Sequence, residues 1–118
     1  MKYNGWDYLD HMLMSLSNIK EFMDTISEES EFVSNKMLRS AVTMELLGLS
    51  ELVKKTVDLG TLPGNIQPWK GIIRFRDRTA HWYHTTDFAL VYRIVVDDLP
   101  ELGKILEEQK KKISVQDS

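Results

Sequence analysis

A chain of 118 residues is long enough for one hydrophobic core and too short for two domains. It has no cysteine, which excludes a disulfide framework and a thiolate metal site. Its net charge of −3 argues against a general electrostatic binder of nucleic acid. No run of about 18 apolar residues offers a membrane span. Met1-Lys2-Tyr3-Asn4-Gly5-Trp6 has no apolar signal core, so a cytoplasmic location is the expectation.

The hydrophobic periodicity is helical throughout. Tyr8, Met12, Leu16, Ile19 and Met23 recur at three and four and predict a first helix from about Asp7 to Ile26. Glu28-Glu29-Ser30-Glu31 reads as a polar break. Ser34 or Asn35 can then cap a second helix that runs to about Leu59 through Leu38, Val42, Leu46, Leu49 and Val53. Gly60, Pro63, Gly64 and Pro68 form one irregular connection. A third helix starts near Pro68-Trp69 and carries Ile72, Ile73 and Phe75. Thr85 or Thr86 is the expected cap of a fourth, with Phe88, Leu90, Val91, Ile94 and Val95 facing inward. The β-branched run Val91 to Val96 fits a helix least well. Asp97-Asp98 before Leu99-Pro100 and Glu101 reads as a new helix start, and that helix fades into Lys110-Lys111-Lys112. Four to five helices with short connections predict an all-α antiparallel bundle. The expected domain spans residues 1–113, followed by a frayed tail at 114–118. The six methionines read as core fillers.

Charge is unevenly distributed. Lys70, Arg74, Arg76, Arg78 and Arg93 face only Asp77 and Asp87 in their segment, a local balance of +3, so the remainder carries −6. A basic focus on an acidic body suits a phosphate site better than a long electrostatic track. Within it stands Phe75-Arg76-Asp77-Arg78-Thr79-Ala80-His81-Trp82-Tyr83, an Arg-x4-His-x-Tyr pattern. Arginine grips phosphate through paired hydrogen bonds, and histidine moves protons near neutral pH. Arg76 and His81 are therefore the candidate catalytic pair, with Asp77 and Tyr83 in support and Arg74 and Arg78 as phosphate contacts. The spacing alone is common. Five residues turn a helix by about 140°, so Arg76 and His81 meet only if the helix ends near His81 or if two chains pool their residues. Trp82 and Phe75 read as packing residues, His84 as a solvated helix end and His11 as a boundary residue. Three scattered histidines offer no metal site.

Several segments together resemble one family in order and spacing. They are Tyr8-Leu9-Asp10-His11-Met12, Ala41-Val42-Thr43-Met44-Glu45-Leu46-Leu47-Gly48, Pro68-Trp69-Lys70, Arg76 to Tyr83, and Val91-Tyr92 with Asp98-Leu99-Pro100-Glu101-Leu102. The chain is similar, over nearly its whole length, to the HepT-like branch of the HEPN superfamily. The resemblance implies a helical bundle that forms a homodimer, with both motifs lining a shared cleft. It implies a metal-independent endoribonuclease without cofactors, the toxin of a toxin–antitoxin pair. Its partner would be an MNT-type nucleotidyltransferase antitoxin. Tyr83 would be a site of adenylylation, which adds negative charge beside the phosphate site.

Two positions depart from the family pattern. Asp77 stands where the family usually has asparagine. Leu49-Ser50 follows Gly48 where the family often has Gly-Glu-Ala, so an acidic side chain is missing unless Glu51 takes its place. The rival to an RNA-cleaving enzyme is a non-catalytic binding or regulatory partner of a nucleotidyltransferase. A third reading is a dimeric adaptor in which Arg76 and His81 satisfy interface carboxylates.

Overall fold

In the computed structural model of the chain, the described residues are 5–60, 62, 67–79 and 86–116; residues 5, 6, 67–69, 78, 79 and 113–116 are described by backbone alone. Every element among them is helical: α1 (Gly5–Met23), α2 (Glu29–Ser34), α3 (Lys36–Asp58), α4 (Gln67–Thr79), α5 (Phe88–Arg93), a π-helical turn (Ile94–Asp98) and α6 (Leu99–Gln116). The expected all-α bundle is what the chain forms. No helix among the described residues is long and apolar enough to cross a membrane.

The core follows the periodic stripes. Leu9, Met12 and Ile19 of α1 and Leu38, Val42, Leu46, Leu49 and Val53 of α3 are buried, and both stripes join one cluster with Ile72, Phe75, Val91, Leu102 and Leu106. α1 packs on both α3 and α6. Asp10 reaches Lys110 at 3.2 Å, while a Cβ at Gly103 would sit 3.7 Å from Leu16. Moving forward along α1 thus moves backward along α6, so the two run antiparallel.

Helix α3 is bounded as its ends dictate. The Asn35 side chain accepts from the Leu38 N–H at 3.0 Å, a short polar cap at the expected position. At the other end Gly60 adopts φ +79°, and its N–H donates to the Val57 carbonyl at 3.0 Å. A side chain is disfavoured there, and glycine closes the helix with a left-handed cap.

Four expectations are corrected. Helix α1 stops at Met23, short of Ile26. The polar break contains α2, which the sequence pattern hides because only Phe32 of its six residues is fully buried. Its ring lies 5.7 Å from that of Tyr92 in α5, and the adjacent Val33 carbonyl accepts from Arg39. The cap of α5 is Asp87, whose carboxylate accepts from the N–H groups of Ala89 (3.1 Å) and Leu90 (3.2 Å); Thr86 precedes it and Thr85 lies outside the described residues. The methionines do not all fill the core: Met12 does, but Met14, Met37 and Met44 lie off the inner stripes and are largely exposed.

Helix α6 begins at Leu99, as expected, but it follows α5 without an intervening loop. The chain passes from α5 to α6 through the π turn, with the Leu99 N–H bonded to the Ile94 carbonyl. Pro100 has no N–H to continue an α-helical ladder, and its ring crowds the carbonyl four residues back; a widened turn just ahead absorbs both problems. Burial of Ile94, Val95, Leu99 and Leu102 then holds the segment in one line with the core. At the far end, α6 is helical through Gln116, past residue 113.

Asp98 closes the π turn, and one carboxylate oxygen sits 3.5 Å from where a Cβ at Gly71 of α4 would be. Burial there pushes the Asp98 carboxyl above the usual range, helped by Asp97 and Glu101 nearby. A carboxyl whose folded pKa is raised favours the native state when protonated, and that contribution is lost as pH rises through the folded value. Asp98→Asn should therefore raise Tm by about 1–3 °C at pH 7 and give no gain near pH 3. Thermal melts at both values check this; an equal gain at both would remove the titration as its cause.

Candidate functional site

Helix α4 presents two faces. Ile72 and Phe75, three residues apart, are buried against the core, which bears out Phe75 as packing. Lys70, Arg74 and Asp77 are exposed on the other side. Arg76 falls on the flank between them, next to α3, with a side chain about a quarter exposed (26%).

On that flank α3 supplies Glu51. The Arg76 Nε–H donates to the Glu51 carboxylate at 2.5 Å, across 25 residues of chain. The Nη1 group donates to the Asp77 carboxylate at 2.9 Å, within α4. Both contacts favour the guanidinium, so its pKa is raised, most by the hydrogen bond to Glu51 and next by that to Asp77. The arginine is thus held from two helices, while its Nη2 takes no partner among the described residues. An arginine so arranged still offers donors at its tip for a bidentate grip on an oxyanion.

The missing acid has an answer in this geometry. Position 49 is filled by a fully buried leucine, where a carboxylate would meet the core. Glu51 is about 160° further round the same helix and meets the motif arginine at the surface. Nothing in the sequence pattern paired Glu51 with Arg76; the i+25 separation is fixed only by the docking of α4 on α3.

Of the other expected site residues, Arg74 is exposed two residues before Arg76, and Arg78 is described by backbone alone on the same helix. His81 and Tyr83 lie outside the described residues, as do Trp82 and His84. His11 is exposed on α1.

A second surface feature adjoins this flank. Met37 and Met44 of α3 are 85% and 61% exposed, and they stand fourteen and seven residues before Glu51, respectively, on the same side of the helix. Gly48 continues that side, with open space where a Cβ would be.

The described residues define a small all-α bundle with an arginine on the exposed flank of α4. Residues 12–109 match the family described as ribonuclease HepT-like, and the chain belongs to that family. It is 30% identical over 112 residues to "Probable ribonuclease HepT" of Thermococcus cleftensis, covering 94% of this chain and 100% of that protein. It is also 30% identical over 104 residues to "Putative RNase MJ0127" of Methanocaldococcus jannaschii, covering 86% of each. No solved structure matches the chain. These likenesses support a ribonuclease-type function.

Proposed function

We propose that the protein is a metal-independent endoribonuclease acting through Arg76 and His81. The observation that carries this reading is the motif arginine itself: it sits on the exposed flank of α4 with its orientation fixed by Glu51 and Asp77. In the proposed reaction the RNA 2′-hydroxyl attacks the adjacent phosphorus and its proton goes to a general base. The new P–O2′ bond forms as the P–O5′ bond breaks, and a general acid protonates the leaving 5′-oxygen, giving a cyclic phosphate and a 5′-hydroxyl. His81 serves in this proton transfer. Arg76 stabilises the charge gathering on the phosphoryl oxygens, and Arg74 and Arg78 hold the flanking phosphates. The need for a 2′-hydroxyl makes RNA the substrate and excludes DNA.

The proposal extends to a homodimer in which two copies pack along α3. Its support is the apolar line Met37–Met44 leading to Glu51: covering that line would remove large exposed side chains from water and bring two Arg76 sites together. In the cell the enzyme would act as a toxin, restrained by a nucleotidyltransferase antitoxin that modifies Tyr83. A nucleotide on Tyr83 would compete with RNA phosphate for the same cations.

One observation favours the non-catalytic alternative. Arg76 is engaged by two carboxylates where the family usually has one neutral asparagine beside it, a local charge that opposes RNA. Expression of wild type against His81→Ala, with growth and RNA integrity followed, decides between them. Loss of RNA and arrested growth with wild type alone supports the ribonuclease toxin. Wild type that leaves RNA intact without any partner sinks it.

A further inference from the structure

We propose that Glu51 is a positioning residue for Arg76, setting the guanidinium for phosphate from a neighbouring helix; this rests on the ribonuclease reading above. Asp77 is adjacent to Arg76 in sequence and tethers it only to its own helix. Glu51 comes from the middle of α3 and fixes the arginine relative to the body of the protein. The two carboxylates take different nitrogens, Nε and Nη1, so they set the plane of the guanidinium as well as its position.

That orientation matters because an arginine side chain is long and loses substantial rotamer freedom when it is held for reaction. A guanidinium already gripped at Nε presents its tip without further ordering. The pair is an unpromising source of stability. Its carboxylate is 44% exposed and its arginine 26%; exposed ion pairs contribute about 0–1 kcal/mol. An acid placed beside a phosphate site also repels the substrate. Glu51 is therefore poorly explained as a fold-stabilising bridge and well explained as an orienting one.

The two roles separate in kinetics. Glu51→Ala removes both the acceptor and the charge. Glu51→Gln keeps an amide oxygen that can accept from Nε while removing the charge. If Glu51 orients Arg76, Glu51→Ala lowers kcat on a short single-stranded RNA by about 10- to 100-fold, with Tm within about 3 °C of wild type. Glu51→Gln restores most of that rate and lowers KM about threefold, because one repelling charge is gone. Glu51→Ala with wild-type kcat overturns the positioning role. So does a loss of rate that follows a matching loss of Tm and is equal in both variants. A wild type that cleaves no RNA overturns both the ribonuclease reading and this inference, whereas an active wild type beside an equally active Glu51→Ala overturns only the role of Glu51.

Discussion

Arg76→Ala should reduce single-turnover RNA cleavage by about 10²–10³-fold while leaving the fold intact. The magnitude is that of removing one preorganised donor to a developing oxyanion. The substitution does more than delete a cation: it leaves the Glu51 and Asp77 carboxylates without the guanidinium that they hold, facing the place where phosphate must sit. RNA affinity should fall along with the chemical step. Stability should change little, because Glu51 and Asp77 are about half exposed, at 44% and 54%, and remain hydrated without their partner. Arg76→Lys is the sharper comparison. It keeps the charge but loses the planar fork, and one ammonium cannot meet Glu51, Asp77 and a phosphate with fixed geometry. A lysine variant still at least tenfold slower than wild type separates orientation from charge. An alanine variant within threefold of wild type would remove Arg76 from the reaction.

His81 gives these measurements their second axis. If His81→Ala abolishes cleavage but keeps RNA affinity, and Arg76→Ala weakens both, the two side chains divide proton transfer from phosphate binding as proposed. A non-catalytic binding partner would show only the affinity loss at Arg76.

What the sequence made legible was whatever recurs at helical spacing. The stripes of α1 and α3, the Asn35 cap and the Gly60 stop are local signals, and each is found where its chemistry places it. Pairing across helices was not legible. Glu51 is an ordinary charged residue on a helix flank until α4 docks and brings Arg76 to it. The π turn was hidden for a different reason. Asp97-Asp98-Leu99-Pro100 carries the residues of a helix start, and the same residues also suit a widened turn inside a continuous helix. Both features are present: α6 starts at Leu99, and burial of Ile94, Val95 and Leu99 on one side keeps it in line with α5 through the turn. The exposed methionines misled because residue type was read without position: Met12 is on the stripe of α1 and Met14 is two residues off it.

Helix α2 is the instructive omission, and Phe32 tests it. Of the six residues from Glu29 to Ser34, only Phe32 is fully buried, so no periodicity could announce the helix. What holds it is tertiary. The Phe32 ring packs against Tyr92, and Arg39 donates to the Val33 carbonyl while lying 4.4 Å over the Phe88 ring. A six-residue helix has no independent stability, so this anchor decides whether it exists. Phe32→Ala should cost about 3–5 kcal/mol, the range for emptying a buried aromatic site, against a total of about 5–15 kcal/mol for a domain of this kind. Denaturant unfolding would show this as a large fall in midpoint. Because α2 packs chiefly on α5, and on α3 to a lesser extent, any protein that remains folded should keep its kcat. A midpoint shift worth less than about 1 kcal/mol would mean that α2 is not anchored through Phe32.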